Sequence, residues 1–254
     1  MTRHPPQPAR SGSEIDLFCL PWAGGGASAY SDWQRGLEAL SARVRVRPVQ
    51  LPGREERSQE PRHTDLDLLV EELDEELDTG SEAPYLLYGH GMGALTSHAL
   101  ALRRQRRGAR LPEALILSSH RAPHIPPNRL LDPEADDEKL AVRLAELGGV
   151  PWELAGRRRF RDDFMPLIRD DLRLCSGWIG PDEIEPLRVP LHLFVGERDQ
   201  LVPVYQMAAW TAHGASGSTL LTMPGGHFFM RSGESEMLRQ LAAVIARYGS
   251  APAT

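Results

Sequence analysis

The chain has 254 residues, 41% of them hydrophobic and 25% charged, an ordinary globular composition that excludes a disordered or collagen-like chain. The length favours one large domain, or a domain carrying an insertion, over two full domains. A formal net charge of −6 argues against bulk affinity for nucleic acid, and no apolar run approaches the ~18 residues that a membrane span needs.

Residues 1–13 carry Pro and Arg without an apolar stretch, so they read as a flexible leader rather than a secretory signal. Residues 15–20 form a short apolar run, expected as a buried strand. It ends in Pro21-Trp22-Ala23-Gly24-Gly25-Gly26, and a helical pattern starts near Ser28. Residues 44–50 alternate like a strand, but Pro48 removes a ladder donor and demotes it to an edge. Residues 66–77 place leucines at helical spacing among acidic residues. Residues 85–88 read as another buried strand, which runs into Gly89-His90-Gly91-Met92-Gly93 and a helix to about Arg107, with Gly108 as its C-terminal cap. The basic residues Arg103, Arg104, Arg106, Arg107 and Arg110 at that helix end read mainly as solvated cations, with an acidic partner as the other option. A further strand covers residues 114–118.

Residues 123–186 lack strand patterns and hold two helix-like stretches, 137–147 and 161–174. Strands resume at 191–195 and, more weakly, at 220–223. Helices follow at 205–212 and 234–248, and residues 251–254 form a tail. Strand followed by helix, repeated, predicts an α/β fold with a mostly parallel sheet and helices on both faces. Residues 14–122 and 187–250 then form the core, and 123–186 a helical lid inserted into it.

Both glycine turns lie where open α/β sheets bind ligands. Gly24-x-Gly26-x-x-Ala29 and Gly89-x-Gly91-x-x-Ala94 each fit the dinucleotide pattern. That reading needs an acidic residue at the end of the following strand, to hold a ribose hydroxyl. Those strands end in Gln50-Leu51-Pro52 and Ser118-Ser119-His120, and neither supplies it. The alternative takes residues 89–93 as a nucleophile elbow, Gly-x-Ser-x-Gly, with an acid and then a histidine on later loops. Asp199 follows the 191–195 strand and His227 follows the last one, so the acid and base are in place. The nucleophile position, however, is Gly91.

The segments 18–25, 51–55 (Leu-Pro-Gly-Arg-Glu), 89–94 and 146–149, with Asp199 and residues 226–229 (Gly-His-Phe-Phe), together resemble the type II thioesterases of polyketide and nonribosomal peptide biosynthesis. The resemblance runs from about residue 17 to 248 and implies an α/β-hydrolase fold. The family elbow is Gly-His-Ser-Met-Gly-Ala, so this chain departs from it at the catalytic serine alone. The family attacks a thioester carried on a phosphopantetheine arm that arrives on a carrier protein, so no resident cofactor or metal is expected. Expected partners are acyl or peptidyl carrier protein domains and a small acyl substrate, with the chain a cytoplasmic monomer.

The resemblance also implies residue roles. His227 is the base and Asp199 orients it. The backbone N–H groups of Ala23 and Met92 form the oxyanion hole. Trp22, Phe164, Met165 and Phe228 are expected to contact substrate, with residues 146–152, Phe160 and Trp178 adding apolar surface; the alternative for these lid residues, and the main role expected for most of them, is to pack the lid onto the sheet. Gly91 deletes the acyl-enzyme step but leaves these groups. Cys19, Cys175, Ser97 and His90 are unconvincing replacements. Three readings stay open: a thioesterase whose serine was replaced to trap a complex; a natural homologue using His227 and Asp199 as general base in cyclisation, elimination or epimerisation; and a non-catalytic acyl or carrier-protein binder.

Overall fold

The computed structural model describes residues 15–78, 83–127, 130–178 and 183–249; the expected leader and the tail at 251–254 lie outside the described residues. The strands β1 (Ile15–Leu20), β2 (Val44–Pro48), β3 (Tyr85–His90), β4 (Ala114–Ser118), β5 (Leu191–Gly196) and β6 (Ser218–Met223) form one six-stranded sheet in the order β2-β1-β3-β4-β5-β6. Every neighbouring pair is parallel; Leu17, for example, stands opposite Val46 on one side and Leu86 on the other. This is the parallel α/β architecture the sequence pattern predicts. Pro48 lies on the outermost strand, where its missing N–H costs no ladder bond.

Strand residues alternate between two apolar cores. Leu87, Leu115, Leu117 and Leu193 face the side covered by the helices α2 (Leu66–Asp78) and α3 (Met92–Arg106). Leu17, Leu86, Tyr88 and Ile116 face the other side, under α1 (Trp33–Ala39) and α9 (Glu234–Ile245). Central strands buried on both faces lose the polar alternation of a half-exposed strand, which is why β3 and β4 read as unbroken apolar runs.

Between β4 and β5 lie α4 (Asp137–Glu146), α5 (Trp152–Ala155) and α6 (Arg158–Gly177). They close a third apolar cluster of their own around Leu140, Leu144, Met165 and Ile168. Asp136 starts α4 by accepting from the N–H groups of Glu138 and Lys139.

Two local expectations change, and one short helix appears that the sequence reading did not include. The helix read from Ser28 is a 3-10 turn (Ala27–Tyr30), and α1 begins only at Trp33; Ser28 gives both its N–H (3.1 Å) and its hydroxyl (2.5 Å) to Glu55. The 205–212 helix divides into α7 (Val204–Ala208) and a 3-10 turn (Ala209–His213). A one-turn helix, α8 (Phe229–Ser232), follows His227 directly; four residues are too short to show a period. The Gly108 expectation fits the geometry, since that residue has φ +68° just beyond α3.

The strand order runs outward from β1 to β2, then returns past β1 to β3. The switch point therefore lies between β1 and β3, and the loops leaving their C-terminal ends form the crevice there.

Candidate active site

Only Gly91 separates β3 from α3, and it takes φ +54°, ψ −119°. Its N–H donates to the Ser118 carbonyl at 2.9 Å, which ties the turn to β4. The flanking glycines are required by close approach. A β-carbon on Gly89 would collide with the backbone of Gly93 and Ala94, and one on Gly93 with the carbonyl of Leu20. Position 91 is different, because a β-carbon there would meet Trp22 Cβ at 3.5 Å and His227 Nε2 at 4.0 Å, both ordinary contacts.

Asp199 stands in the turn after β5. One carboxylate oxygen accepts from the N–H groups of Leu201 and Val202, each at 2.9 Å. The other lies 2.9 Å from His227 Nδ1. Burial alone would raise the Asp199 pKa, but hydrogen bonding and charge from His227 and the Val202 N–H outweigh it, so the carboxyl titrates below its ordinary value. His227 is itself buried, packed edge-on against His90 (5.2 Å) and Phe228 (5.0 Å). His90 Nδ1 is bound to Ser118 Oγ at 2.9 Å, and burial drives its pKa well down, so it stays neutral.

Met92 is the first residue of α3, where a backbone N–H has no acceptor within its own helix. The Ala23 N–H likewise has no hydrogen-bond acceptor among the described residues. The loop that carries Ala23 is clamped by a buried ion pair. Arg54 donates to both carboxylate oxygens of Asp171 (2.7 and 2.8 Å) and to the Gly25 carbonyl (3.1 Å), and Asp171 also accepts from the Gly24 N–H at 2.7 Å. Arg54 and Asp171 are 7% and 1% exposed. Thus the Leu-Pro-Gly-Arg-Glu segment and α6 together fix the backbone beside the elbow. Arg54 was visible in its motif; Asp171 carried no sequence signal.

A cavity of about 120 Å³ opens over these groups. Trp22, Ala23, Gly91, Met92 and His227 line one wall, and Leu131, Leu144, Leu172 and Cys175 the other. Trp22 and Phe228, edge-to-face at 5.6 Å, divide it from a wider groove of about 580 Å³ lined by Val150, Pro151, Phe160 and Phe164. The expected substrate contacts therefore separate. Trp22 and Phe228 lie at the cavity, and Phe164 faces the outer groove. Met165 is fully buried in the α4–α6 cluster and lines neither space; its position on α6 turns it toward α4. Trp152 is exposed, and Trp178 packs beside Val70 and Arg103 near α2 and α3.

Alternative nucleophiles are poorly placed. Cys19 is buried in β1 with its pKa raised by burial. Cys175 lines the cavity, but burial pushes its thiol to about 12, so little thiolate exists near neutrality. Ser97 is buried along α3. The arginines at the end of α3 are taken up internally: Arg103, Arg104 and Arg107 converge on the buried Asp74, and Arg106 pairs with Glu185 at 2.8 Å. Ser119, which the sequence reading passed over, lines the cavity with φ +47°. Nothing in its local sequence signals that conformation.

A thioesterase-domain family model matches residues 15–245. The chain belongs to the thioesterase family. The linear gramicidin dehydrogenase LgrE of Brevibacillus parabrevis is 31% identical over 239 residues, covering 93% of this chain and 89% of that protein. The solved structure of RedJ, a thioesterase of the prodiginine pathway in Streptomyces coelicolor, is 32% identical with a TM-score of 0.84, covering 95% and 93% of the two chains. YbtT, the type II thioesterase of the yersiniabactin NRPS/PKS pathway, is 28% identical with a TM-score of 0.84, covering 96% and 98%. The fold is that of these structures, an α/β-hydrolase-like sheet. The dinucleotide reading loses further ground on this chain's own residues. The Glu55 carboxylate takes the Ser28 N–H and hydroxyl just after the first glycine turn, where a pyrophosphate would need free N–H groups and positive charge. Among the described residues, no helix is long and apolar enough to cross a membrane.

Proposed function

We propose that this protein acts on acyl or aminoacyl thioesters presented on the phosphopantetheine arm of acyl or peptidyl carrier proteins in polyketide or nonribosomal peptide biosynthesis. His227 is the general base and Asp199 orients it. The nucleophile is not part of the chain at position 91. The observation that carries the reading is the aim of His227: its Nδ1 is held by Asp199 at 2.9 Å, while its Nε2 points to the elbow position, 4.0 Å from where a β-carbon would stand. A base this well held suits proton transfer more than passive binding.

The chemistry follows from the groups present. The thioester carbonyl oxygen lies toward the Ala23 and Met92 N–H groups, which stabilise the charge that develops on it. A water molecule, or a hydroxyl or amine of the substrate, attacks the carbonyl carbon as His227 Nε2 takes its proton. The C–S bond breaks, and the pantetheine thiolate leaves with that proton. Water as nucleophile gives the free acid; a substrate group gives a cyclised product. Neither route passes through an acyl-enzyme at residue 91. Residues 123–186 act as the lid over the thioester, and the protein works as a cytoplasmic monomer; the cavity wall contributed by Leu131, Leu144 and Leu172 supports the lid assignment.

The test is turnover of an acyl-loaded carrier protein by the full chain, with the product identified by mass. Turnover that falls to the uncatalysed rate in His227→Ala while carrier binding persists supports the reading. Turnover unchanged in His227→Ala, or none by the unsubstituted chain on any acyl class, overturns it.

A further inference from the structure

Three arginines are buried among the described residues: Arg104 at 3% exposure, Arg54 at 7% and Arg121 at 7%. Arg104 binds the Asp74 carboxylate at 2.6 Å, and Arg54 binds Asp171 through two bonds. Arg121 has no carboxylate within ion-pair distance among the described residues, and its one hydrogen bond is a long contact of 3.4 Å to the Cys175 carbonyl near the end of α6. A guanidinium carries five N–H donors, so that carbonyl satisfies a small part of it. A buried charge left without a counter-charge is costly, and the usual remedies are a partner or a ligand. Burial already lowers the Arg121 pKa from its ordinary value.

The position of Arg121 decides what the partner would be. It lines the same cavity as Gly91 and His227, and the remaining wall there is largely apolar, with Leu131, Leu144 and Leu172. We propose that Arg121 is a specificity determinant, binding a carboxylate at the far end of a short acyl group, so that the preferred ligand is the half-thioester of a small dicarboxylic acid. Guanidinium and carboxylate match in a planar, two-bond geometry. The cavity volume of about 120 Å³ limits the chain between thioester and carboxylate to a few carbons. The inference rests on the proposed function only in taking this cavity as the thioester site.

The probes are two ketone analogues of S-acyl pantetheine, with CH₂ in place of sulfur, equal in acyl length and ending in a carboxylate or a methyl group. Calorimetric titration of the full chain is expected to show the carboxylate analogue binding at least about tenfold tighter. Arg121→Met removes that preference and Arg121→Lys keeps part of it. Each probe is also made with and without the 4′-phosphate of the arm, since a phosphate offers the same anionic chemistry. A preference that follows the phosphate, equal binding of the two acyl ends, or a preference that survives Arg121→Met overturns the proposal. A role confined to holding α6 would lower the affinity of both analogues together. The wild-type ratio is decisive even where Arg121→Met does not fold. No turnover is read, so failure of the His227 experiment leaves this result standing, and the converse holds.

Discussion

His227 faces Gly91 across the elbow: the imidazole Nε2 stands 4.0 Å from the point where a β-carbon on residue 91 would begin. A serine β-carbon fits that point in ordinary contact, with Trp22 Cβ at 3.5 Å and Trp22 Cα at 4.0 Å. Gly91→Ser is therefore expected to create acyl-enzyme hydrolysis of short acyl thioesters. Loss of a triad serine costs about 10⁶ in turnover in a well-studied protease, so a gain of at least about 10³ is expected here. The positive φ imposes strain of about 1–3 kcal/mol on any side chain, lowering the melting temperature. Single-turnover kinetics and the mass of an acylated Ser-containing peptide check it; absence of both would mean the oxyanion loop is not aligned.

The Arg54–Asp171 pair joins the loop beside the elbow to α6. Asp171→Ala leaves the guanidinium buried and unpaired and frees the Gly24 N–H, so a loss of about 3–5 kcal/mol is expected. Arg54→Met with Asp171→Leu removes both charges and should recover much of that stability. Urea unfolding of the two variants makes the comparison. A double variant no better than Asp171→Ala would show that the bonds to the loop, rather than charge, carry the effect.

Ser119 holds φ +47° just beyond β4, where glycine is comfortable and an L-residue is not. Ser119→Gly is expected to stabilise the fold by no more than about 1 kcal/mol, since glycine also loosens the unfolded chain. A stability loss in urea unfolding would contradict this.

His98 is buried against Trp210 and His213, with ring centroids 4.9 and 5.2 Å away. Burial lowers its pKa to about 3, and that of His120 to about 3 as well. Between the ordinary value near 6.5 and about 3, the unfolded chain binds protons that the folded chain refuses. Stability is thus complete above about pH 6.5 and falls as pH drops, by up to about 1.4 kcal/mol per pH unit for each such histidine. His98→Phe should flatten that slope between pH 6 and 4 in chemical denaturation, and an unchanged slope would exclude His98 as a source.

The strand-and-turn order was legible along the chain because each central strand is a continuous apolar run ended by glycine or a polar loop residue. The elbow was legible because Gly89 and Gly93 are forced by backbone approach, which leaves a local mark. The meeting of Asp199 and His227 was legible because loops that follow neighbouring parallel strands come together at one end of the sheet. Helix starts were less so: Ser28 reads as a helix start until the side chain of Glu55, 27 positions away, takes its hydrogen bonds.

By itself, then, the sequence determined the parallel α/β class, the family and the loss of the serine, all of them properties of local pattern and motif. Tertiary structure alone decided that Asp171 holds Arg54 across more than a hundred residues, that Met165 is buried in the α4–α6 cluster and lines neither cavity nor groove, and that Arg121 stands in the cavity with no carboxylate in ion-pair reach among the described residues. The physical reason is one and the same. Ion pairing and burial depend on which side chains meet in space, and in residues 123–186 amphipathic helices set only which face turns inward, while their packing against the sheet sets what that face meets.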